Sequence, residues 1–189
     1  MFNCEVAQEK LRTAFYAVKE ELGINDEIID FYVNAENIHS IQVDRERMLE
    51  PLTLLKEELE KKFPNFRIKG RVKSLASTFG KYMMQRSTWD VFGIKIITPN
   101  YVSSYAMAAW LMENYKYVEF EDRTEFPKPN GYSDLKVIVR YEDVLVEFIV
   151  QTNRQYADSD TLQAHHLVYP WKYRREIREL PLDYKEMKF

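Results

Sequence analysis

The chain has 189 residues, of which 46% are hydrophobic and 30% charged, with a formal net charge of −3 at pH 7. This size suits one domain with a buried core and leaves little room for a second full domain. The slightly negative charge does not imply general attraction to nucleic acid, although a local basic face could still bind RNA. A single cysteine, Cys4, excludes an internal disulfide and a cysteine-based zinc site. No signal peptide and no apolar run near the roughly 20 residues of a membrane span are present, so we expect a soluble cytoplasmic protein.

The N-terminal third of the chain predicts three amphipathic helices. Apolar residues recur at steps of three to five residues over residues 3–22, which indicates the first helix. Similar spacing predicts a second helix over residues 26–40 and a third over residues 44–62, which Pro64 ends. We expect these helices to form an N-terminal helical layer, residues 1–65, that covers one face of a sheet. A partner-binding role for this layer is the alternative.

Strand and helix patterns alternate in the remaining region, residues 66–189, which we expect to join the helical layer in one compact unit. Ser74 is well placed to cap a helix, and Glu142 and Asp143 form a tight turn between two strands. The pattern is typical of the α+β class, with a mixed β-sheet flanked by helices. The predicted segments are strands at 66–73, 90–98, 116–120, 135–141 and 144–151 and helices at 74–86, 101–115 and 157–168.

A cluster of cations precedes an acid that opens an apolar strand, Asp90. A second acid, Glu147, lies within another apolar strand, where a carboxylate costs free energy unless a cation offsets it. Two such acids predict a shared Mg²⁺ site beside a phosphate site. The alternative is a solvated basic face with acids that cap strands or form surface ion pairs. The residues that could bind a polyphosphate are Arg71, Lys73, Ser74 and Lys81.

Five short motifs occur in an order and spacing that resemble the RelA/SpoT-type alarmone synthetase domain, over roughly residues 67–170. Each motif alone matches often by chance, but five in the same order form a specific signal. The motifs are Arg71-Val72-Lys73-Ser74 with Ser77 and Lys81, Asp90-Val91-Phe92-Gly93-Ile94-Lys95, Asn130-Gly131-Tyr132, Glu147, and His165-His166-Leu167-Val168-Tyr169.

The resemblance implies a nucleotidyltransferase-like sheet that moves the β,γ-pyrophosphate of ATP to a ribose 3′-hydroxyl with Mg²⁺. It implies that Asp90 is a metal ligand and that Glu147 assists with the metal or takes the acceptor proton. Lys95 stands where the family usually has an arginine near the adenine, so the charge is kept while the flat stacking surface is lost. The residues implied to hold the ATP phosphates are Arg71, Lys73, Ser74 and Lys81.

The acceptor side resembles the family less closely. Tyr132 is implied to stack on the acceptor base, and His165 to meet an acceptor phosphate, with a partly buried hydrogen-bonding role for His165 as the alternative. The family usually has arginines where this chain has Ser133 and Gln151. Their loss removes donors that a free guanosine di- or triphosphate would need. The acceptor-binding residues implied are Lys128, Asn130, Tyr132 and His165.

These departures favour a different acceptor, the 3′ end of tRNA, which a toxic branch of small synthetases in this family modifies. An RNA acceptor needs an external basic surface rather than phosphate chelation inside the pocket. Two basic segments could supply that surface, although solubility alone is the alternative role for both. Their residues are Lys61, Lys62, Arg67 and Lys69 in the middle of the chain and Lys172, Arg174, Arg175 and Arg178 near its end.

The sequence therefore predicts an ATP-dependent pyrophosphokinase that acts on the 3′ end of tRNA, inhibits translation and is neutralised by an antitoxin protein. The first alternative keeps the enzyme but makes an alarmone from GDP, GTP or an adenine nucleotide. The second alternative is a catalytically inactive nucleotide or RNA sensor, against which the presence of Asp90 and Glu147 argues.

Overall fold

The computed structural model describes residues 2–86, 90–161 and 170–189. Within these residues, short 3₁₀ helices cover Pro170–Tyr173 and Leu182–Tyr184. No helix in the described ranges is both long enough and apolar enough to cross a membrane. The α-helices are α1 (Cys4–Leu22), α2 (Asp26–Tyr32), α3 (Ala35–Lys62), α4 (Leu75–Met83), α5 (Tyr101–Asn114), α6 (Asn153–Thr161) and α7 (Arg175–Arg178).

Six strands of the described chain form one sheet in the order β3-β4-β5-β2-β1-β6. Strands β2 and β5 are parallel, whereas the β1–β2, β3–β4 and β4–β5 pairs are antiparallel. The predicted α+β class with a mixed, helix-flanked sheet is confirmed. The strands are β1 (Arg67–Val72), β2 (Phe92–Thr98), β3 (Lys116–Asp122), β4 (Leu135–Tyr141), β5 (Val144–Thr152) and β6 (Met187–Lys188).

The two faces of this sheet differ in polarity because side chains alternate along each strand. On β5, Val146, Phe148 and Val150 are fully buried on one face, while Glu147 between them points to the other face. Helix α5 packs on β2, β3, β4 and β5 and buries Met107, Ala108 and Leu111. The apolar face thus builds the core, and the opposite face carries charged side chains beside the buried Ile97 and Ile138.

Contacts divide the chain into two units, each with its own core. The described part of the first unit comprises residues 2–49, 73–86 and 170–187, and that of the second comprises residues 50–72, 90–161 and 188–189. The division does not follow the predicted boundary after residue 65. The reason is that α4 and the C-terminal segment share one apolar core with the N-terminal helices.

The core of the first unit is centred on Trp171, whose ring centroid lies 6.1 Å from that of Phe15. A Cβ on Gly80 would collide with the Trp171 ring, so a glycine is needed where α4 passes the indole. Buried Arg45 ties the C-terminal segment to α3, donating from Nη1 to the Asp183 carbonyl at 2.9 Å and from Nη2 to the Lys185 carbonyl at 2.6 Å. These contacts explain why distant parts of the sequence belong to one unit.

Most predicted segments are confirmed, including the strand at residues 135–141, but the helix break near residue 42 is wrong. The break lies at residues 33–34, because the Asn34 side chain accepts a hydrogen bond from the Asn37 backbone N–H at 2.8 Å and begins α3. Helix α3 then runs unbroken through Pro51 to Lys62.

Two predicted boundaries near the site also differ from the structure. Strand β2 begins at Phe92, so Asp90 precedes the strand instead of opening it. The last predicted helix, at residues 157–168, begins earlier, at Asn153, and residues 162–168 of that prediction lie outside the described residues.

Candidate active site on the polar face of the sheet

A row of three residues crosses the polar face in the second unit. Arg71 on β1 pairs with Gly93 on β2, and Gly93 pairs in turn with Glu147 on β5. Residues that are opposite one another on neighbouring strands project to the same face. The structure thus places a predicted phosphate ligand and a predicted catalytic acid on either side of one glycine.

Gly93 provides the space that the Arg71 side chain occupies. A Cβ built on Gly93 would lie 3.4 Å from Arg71 Nε, 3.6 Å from Arg71 Cγ and 3.8 Å from the Glu147 backbone oxygen. The arginine therefore extends across Gly93 in the direction of β5. This orientation aims a guanidinium, which can bind phosphate through two parallel hydrogen bonds, along the row that holds Glu147.

Asp90 lies three residues before Gly93 and is 9% exposed. In the described ranges, no group of three or more histidine, cysteine, aspartate or glutamate side chains is arranged to hold a metal ion. Mg²⁺ usually binds through one or two carboxylates and completes its shell with water and substrate phosphates. The two predicted carboxylates, Asp90 and Glu147, are enough for that mode of binding and too few for a metal site made wholly of protein ligands.

A tight turn brings three predicted acceptor residues together before β4. The Lys128 backbone N–H donates to the Tyr132 carbonyl at 3.0 Å, and the Tyr132 N–H donates to Asn130 Oδ1 at 3.1 Å. Gly131 adopts a φ of +80°, a conformation that glycine tolerates best. The turn sets the Lys128 ammonium 5.4 Å from the centre of the Tyr132 ring. It therefore presents an aromatic surface with an adjacent cation.

Burial and the neighbouring Asp134 favour the neutral form of Tyr132. Asp134 is fully buried and lies 3.4 Å from Arg123 Nη1. Burial, then the charge of Asp134 and its hydrogen bond with the phenol, raise the pKa of Tyr132, and the charge of Glu147 adds to this rise. Burial also raises the pKa of Asp134, although Arg123 opposes the rise. The charge of Glu147 thus acts on the acceptor turn.

Ser133 and Gln151 contact one another at the two positions for which the resemblance implies arginine. Gln151 is fully buried, and its Nε2 donates to the Ser133 carbonyl at 2.9 Å. Gln155 adds hydrogen bonds to Ser133 Oγ at 3.1 Å and to Thr124 Oγ1 at 2.9 Å. A network of neutral side chains therefore occupies the positions for which the resemblance implies two cations.

The remaining predicted phosphate ligands belong to the first unit. Ser74 caps α4 as predicted, because its hydroxyl accepts a hydrogen bond from the Ser77 N–H at 3.2 Å. Lys73 is buried just before the cap, and Lys81 lies in the last turn of the same helix. A cavity of about 450 Å³ at the start of α4 is lined by Ser74 and by cations of the C-terminal segment, among them Lys172.

The cations predicted to form an RNA surface are divided between the units. In the first unit, Arg174 lies 3.3 Å from Glu21 and Arg175 lies 2.8 Å from Glu179, so acids partly neutralise both. In the second unit, Lys61 is exposed and the Lys62 ammonium lies 4.8 Å from the centre of the Trp110 ring. His165, predicted to meet an acceptor phosphate, lies outside the described residues.

The sequence analysis did not identify two residues of the second unit, Asp134 and Tyr156. Asp134 carried a recognisable signal, since it precedes an apolar strand much as Asp90 does. Tyr156 carried none, because its contacts are with cations on strands far away in the chain. The Lys69 ammonium donates to the Tyr156 hydroxyl at 2.5 Å across 87 residues of sequence.

The region found in RelA/SpoT proteins is recognised over residues 70–174, more than half of the chain. The chain belongs to this family.

The chain is also similar to a curated relative in sequence and to solved structures in fold. GTP pyrophosphokinase of Escherichia coli (strain K12) is 26% identical over 148 residues, which cover 74% of this chain and 19% of the relative. The chain thus spans about a fifth of the length of that curated relative. Small alarmone synthetase 1 from Bacillus subtilis, bound to its product pppGpp, has a TM-score of 0.57 at 16% identity, covering 74% of this chain and 84% of that one. Small alarmone synthetase 2 from Bacillus subtilis has a TM-score of 0.56 at 21% identity, covering 76% and 84%. The structural likenesses establish the fold.

Proposed function

We propose that this protein is an ATP-dependent pyrophosphokinase that transfers the β,γ-pyrophosphate of ATP to a ribose 3′-hydroxyl. The observation that carries the proposal is the row of Arg71, Gly93 and Glu147 on the polar face, close in sequence to buried Asp90. Family membership supports it, as does the name of the Escherichia coli relative, a GTP pyrophosphokinase.

The chemistry follows from the placement of the charged side chains. The acceptor 3′-oxygen attacks the β-phosphorus of ATP, the bond from that phosphorus to the oxygen bridging it to the α-phosphorus breaks, and AMP leaves. The Glu147 carboxylate takes the hydroxyl proton, and Arg71 binds charge on the transferred group. Asp90 would hold Mg²⁺, which neutralises phosphate charge when bound. The alternative role of Glu147 is to assist Asp90 with that metal instead of taking the proton.

The acceptor we propose is the 3′ end of tRNA. The positions that could chelate the 5′-phosphates of a free nucleotide hold Ser133 and Gln151, which bind one another. Arg123 beside the turn is engaged by Glu121 at 2.6 Å and by Asp134. An RNA end brings a base to stack on Tyr132 without a 5′-polyphosphate to bind. Modified tRNA ends would stop translation, so the protein would act as a cytoplasmic toxin that needs a neutralising antitoxin protein.

A free guanosine nucleotide is the second candidate acceptor. Lys128 places one cation beside Tyr132, and a 5′-phosphate could bind there. The structurally similar small alarmone synthetase 1 is bound to its product pppGpp. An adenine nucleotide would use the same contacts. A sensor without catalysis remains the alternative if no acceptor is modified.

The test is transfer of label from γ-³²P-ATP with Mg²⁺ to deacylated tRNA, GDP, GTP and AMP in parallel. Label on tRNA alone supports the proposal, and label on a free nucleotide replaces the proposed acceptor. Asp90→Asn should abolish transfer, whereas Asp143→Asn, a matched change in the exposed turn between β4 and β5, should leave it intact. Folded protein that binds ATP but labels nothing would favour the sensor.

A further inference from the structure

Three cations surround one aromatic ring at the start of α6. The ring is that of half-buried Tyr156. The Lys69 ammonium lies 4.6 Å from its centre, the Lys95 ammonium 5.2 Å and the Arg67 guanidinium 5.4 Å. The Tyr156 hydroxyl also accepts the hydrogen bond from Lys69 at 2.5 Å. We call these four residues the Tyr156 cluster.

The Tyr156 cluster has an excess of positive charge. Among the residues that the structure describes, Arg67 and Lys69 form no ion pair with an acid, and Arg67 instead donates to Asn153 Oδ1 at 3.0 Å. Like charges held this close repel one another, and the π face of a tyrosine offsets only part of that repulsion. An anionic ligand would relieve the rest.

The Tyr156 cluster is continuous with the proposed catalytic row. Lys69 on β1 pairs with Lys95 on β2, and this pair lies two residues along each strand from the pair of Arg71 and Gly93. Two residues along a strand span roughly 7 Å, and both pairs project to the same face. A nucleoside triphosphate is longer than this separation, so one molecule can reach both the cluster and Arg71.

We infer that Tyr156 is a positioning residue that holds Arg67, Lys69 and Lys95 in place to bind the donor nucleoside triphosphate. The sequence assigned Lys69 to an RNA surface and Lys95 to the ATP site, but both contact one ring. Because the Tyr156 cluster is continuous with the row that contains Arg71, we assign the cluster to the donor nucleotide and not to RNA. The inference rests on the proposed function for the identity of that donor.

The test measures binding of α,β-methylene-ATP with Mg²⁺ by isothermal titration calorimetry, which requires no transfer. Tyr156→Leu removes the ring and should weaken binding about tenfold, since three contacts of the cation–π type are lost. Tyr156→Phe keeps the ring and should bind within about threefold of the unchanged protein. The matched control is Tyr117→Leu, on an exposed tyrosine of β3, and circular dichroism melting reports whether each variant folds.

Lys69→Met provides a second variant that keeps Tyr156, and Lys116→Met on β3 is its control. The inference predicts that Lys69→Met also weakens binding of the ATP analogue and leaves binding of deacylated tRNA unchanged. Weaker tRNA binding with unchanged analogue binding would overturn the inference and assign the cluster to the acceptor. Unchanged binding of both ligands in folded Tyr156→Leu would also overturn it. Analogue binding without any transfer would instead count against the proposed function alone.

Discussion

The Arg71 side chain lies across Gly93, with its Nε 3.4 Å from the place where a Cβ on that glycine would stand. This distance is close to ordinary van der Waals contact, so an alanine fits after a small adjustment, whereas the γ-methyl groups of a valine do not. We expect Gly93→Ala to keep most of the activity. Gly93→Val should lower kcat/KM for pyrophosphate transfer by about 100-fold, because a displaced catalytic group loses its alignment.

Steady-state kinetics of both variants, with melting temperatures as the check on folding, test this expectation. Equal activity of Gly93→Val and the unchanged protein would mean that the path of Arg71 over Gly93 has no part in the reaction.

Arg45 should be essential for the stability of the first unit. Its guanidinium is buried, which lowers its pKa to about 10, and it remains charged at pH 7. Arg45→Met leaves the Asp183 and Lys185 carbonyls without their donor, at a cost of about 1–3 kcal/mol for each group left buried. Arg47→Met, whose arginine forms a surface pair with Asp44, should cost less than about 1 kcal/mol. Urea unfolding of the two variants measures the difference.

The acid stability of the second unit should depend on Glu121. A hydrogen bond from Arg123, with a smaller contribution from Lys136, lowers the pKa of Glu121 from 4.5 to about 2 despite partial burial. Because the folded pKa lies below the unfolded one, this contribution is complete above about pH 4.5 and is lost as the pH falls towards 2. Glu121→Gln should therefore lower the free energy of unfolding at pH 7 and flatten its dependence on pH across that window.

Urea unfolding between pH 2.5 and 7 provides the measurement, with Glu113→Gln on the exposed side of α5 as the control. An unchanged slope in Glu121→Gln would assign the loss of stability in acid to other carboxylates.

Tyr132 should contribute to acceptor binding more than to ATP binding. Stacking of one base is worth about 1–3 kcal/mol, so Tyr132→Ala should raise the KM for the acceptor by roughly 5- to 150-fold. The KM for ATP should change little. Tyr117→Ala serves as the control on an exposed tyrosine of the same unit. Equal increases in the KM for the acceptor and the KM for ATP would mean that Tyr132 supports the structure of both sites and does not bind the acceptor specifically.

Local patterns predicted much of the fold and part of the site. The apolar runs of β2 and β5 identify two buried strands, and Ser74 is recognisable as a cap from its position before α4. The row of Arg71, Gly93 and Glu147 needs strand register, which no local pattern contains.

The sequence could not indicate which elements share a core. Helix α4 follows β1 directly, yet its buried residues Leu75 and Phe79 belong to the core built by the N-terminal helices. The contacts of Tyr156 with its cations could not be predicted from the sequence either, because they join α6 to strands more than 60 residues earlier. Long-range packing decides both features, and single-residue propensities do not report it.

Gln155 and Tyr156 are neighbours in the first turns of α6, yet one binds the acceptor turn at Ser133 and the other binds Lys69. A donor that binds at the Tyr156 cluster and an acceptor that binds at the turn of Ser133 would thus contact adjacent residues of one helix. Donor and acceptor would then bind with positive cooperativity, and thermodynamic linkage requires each to raise the affinity of the other by the same factor. If both substrates bind as proposed, this short helical segment would connect them before they react.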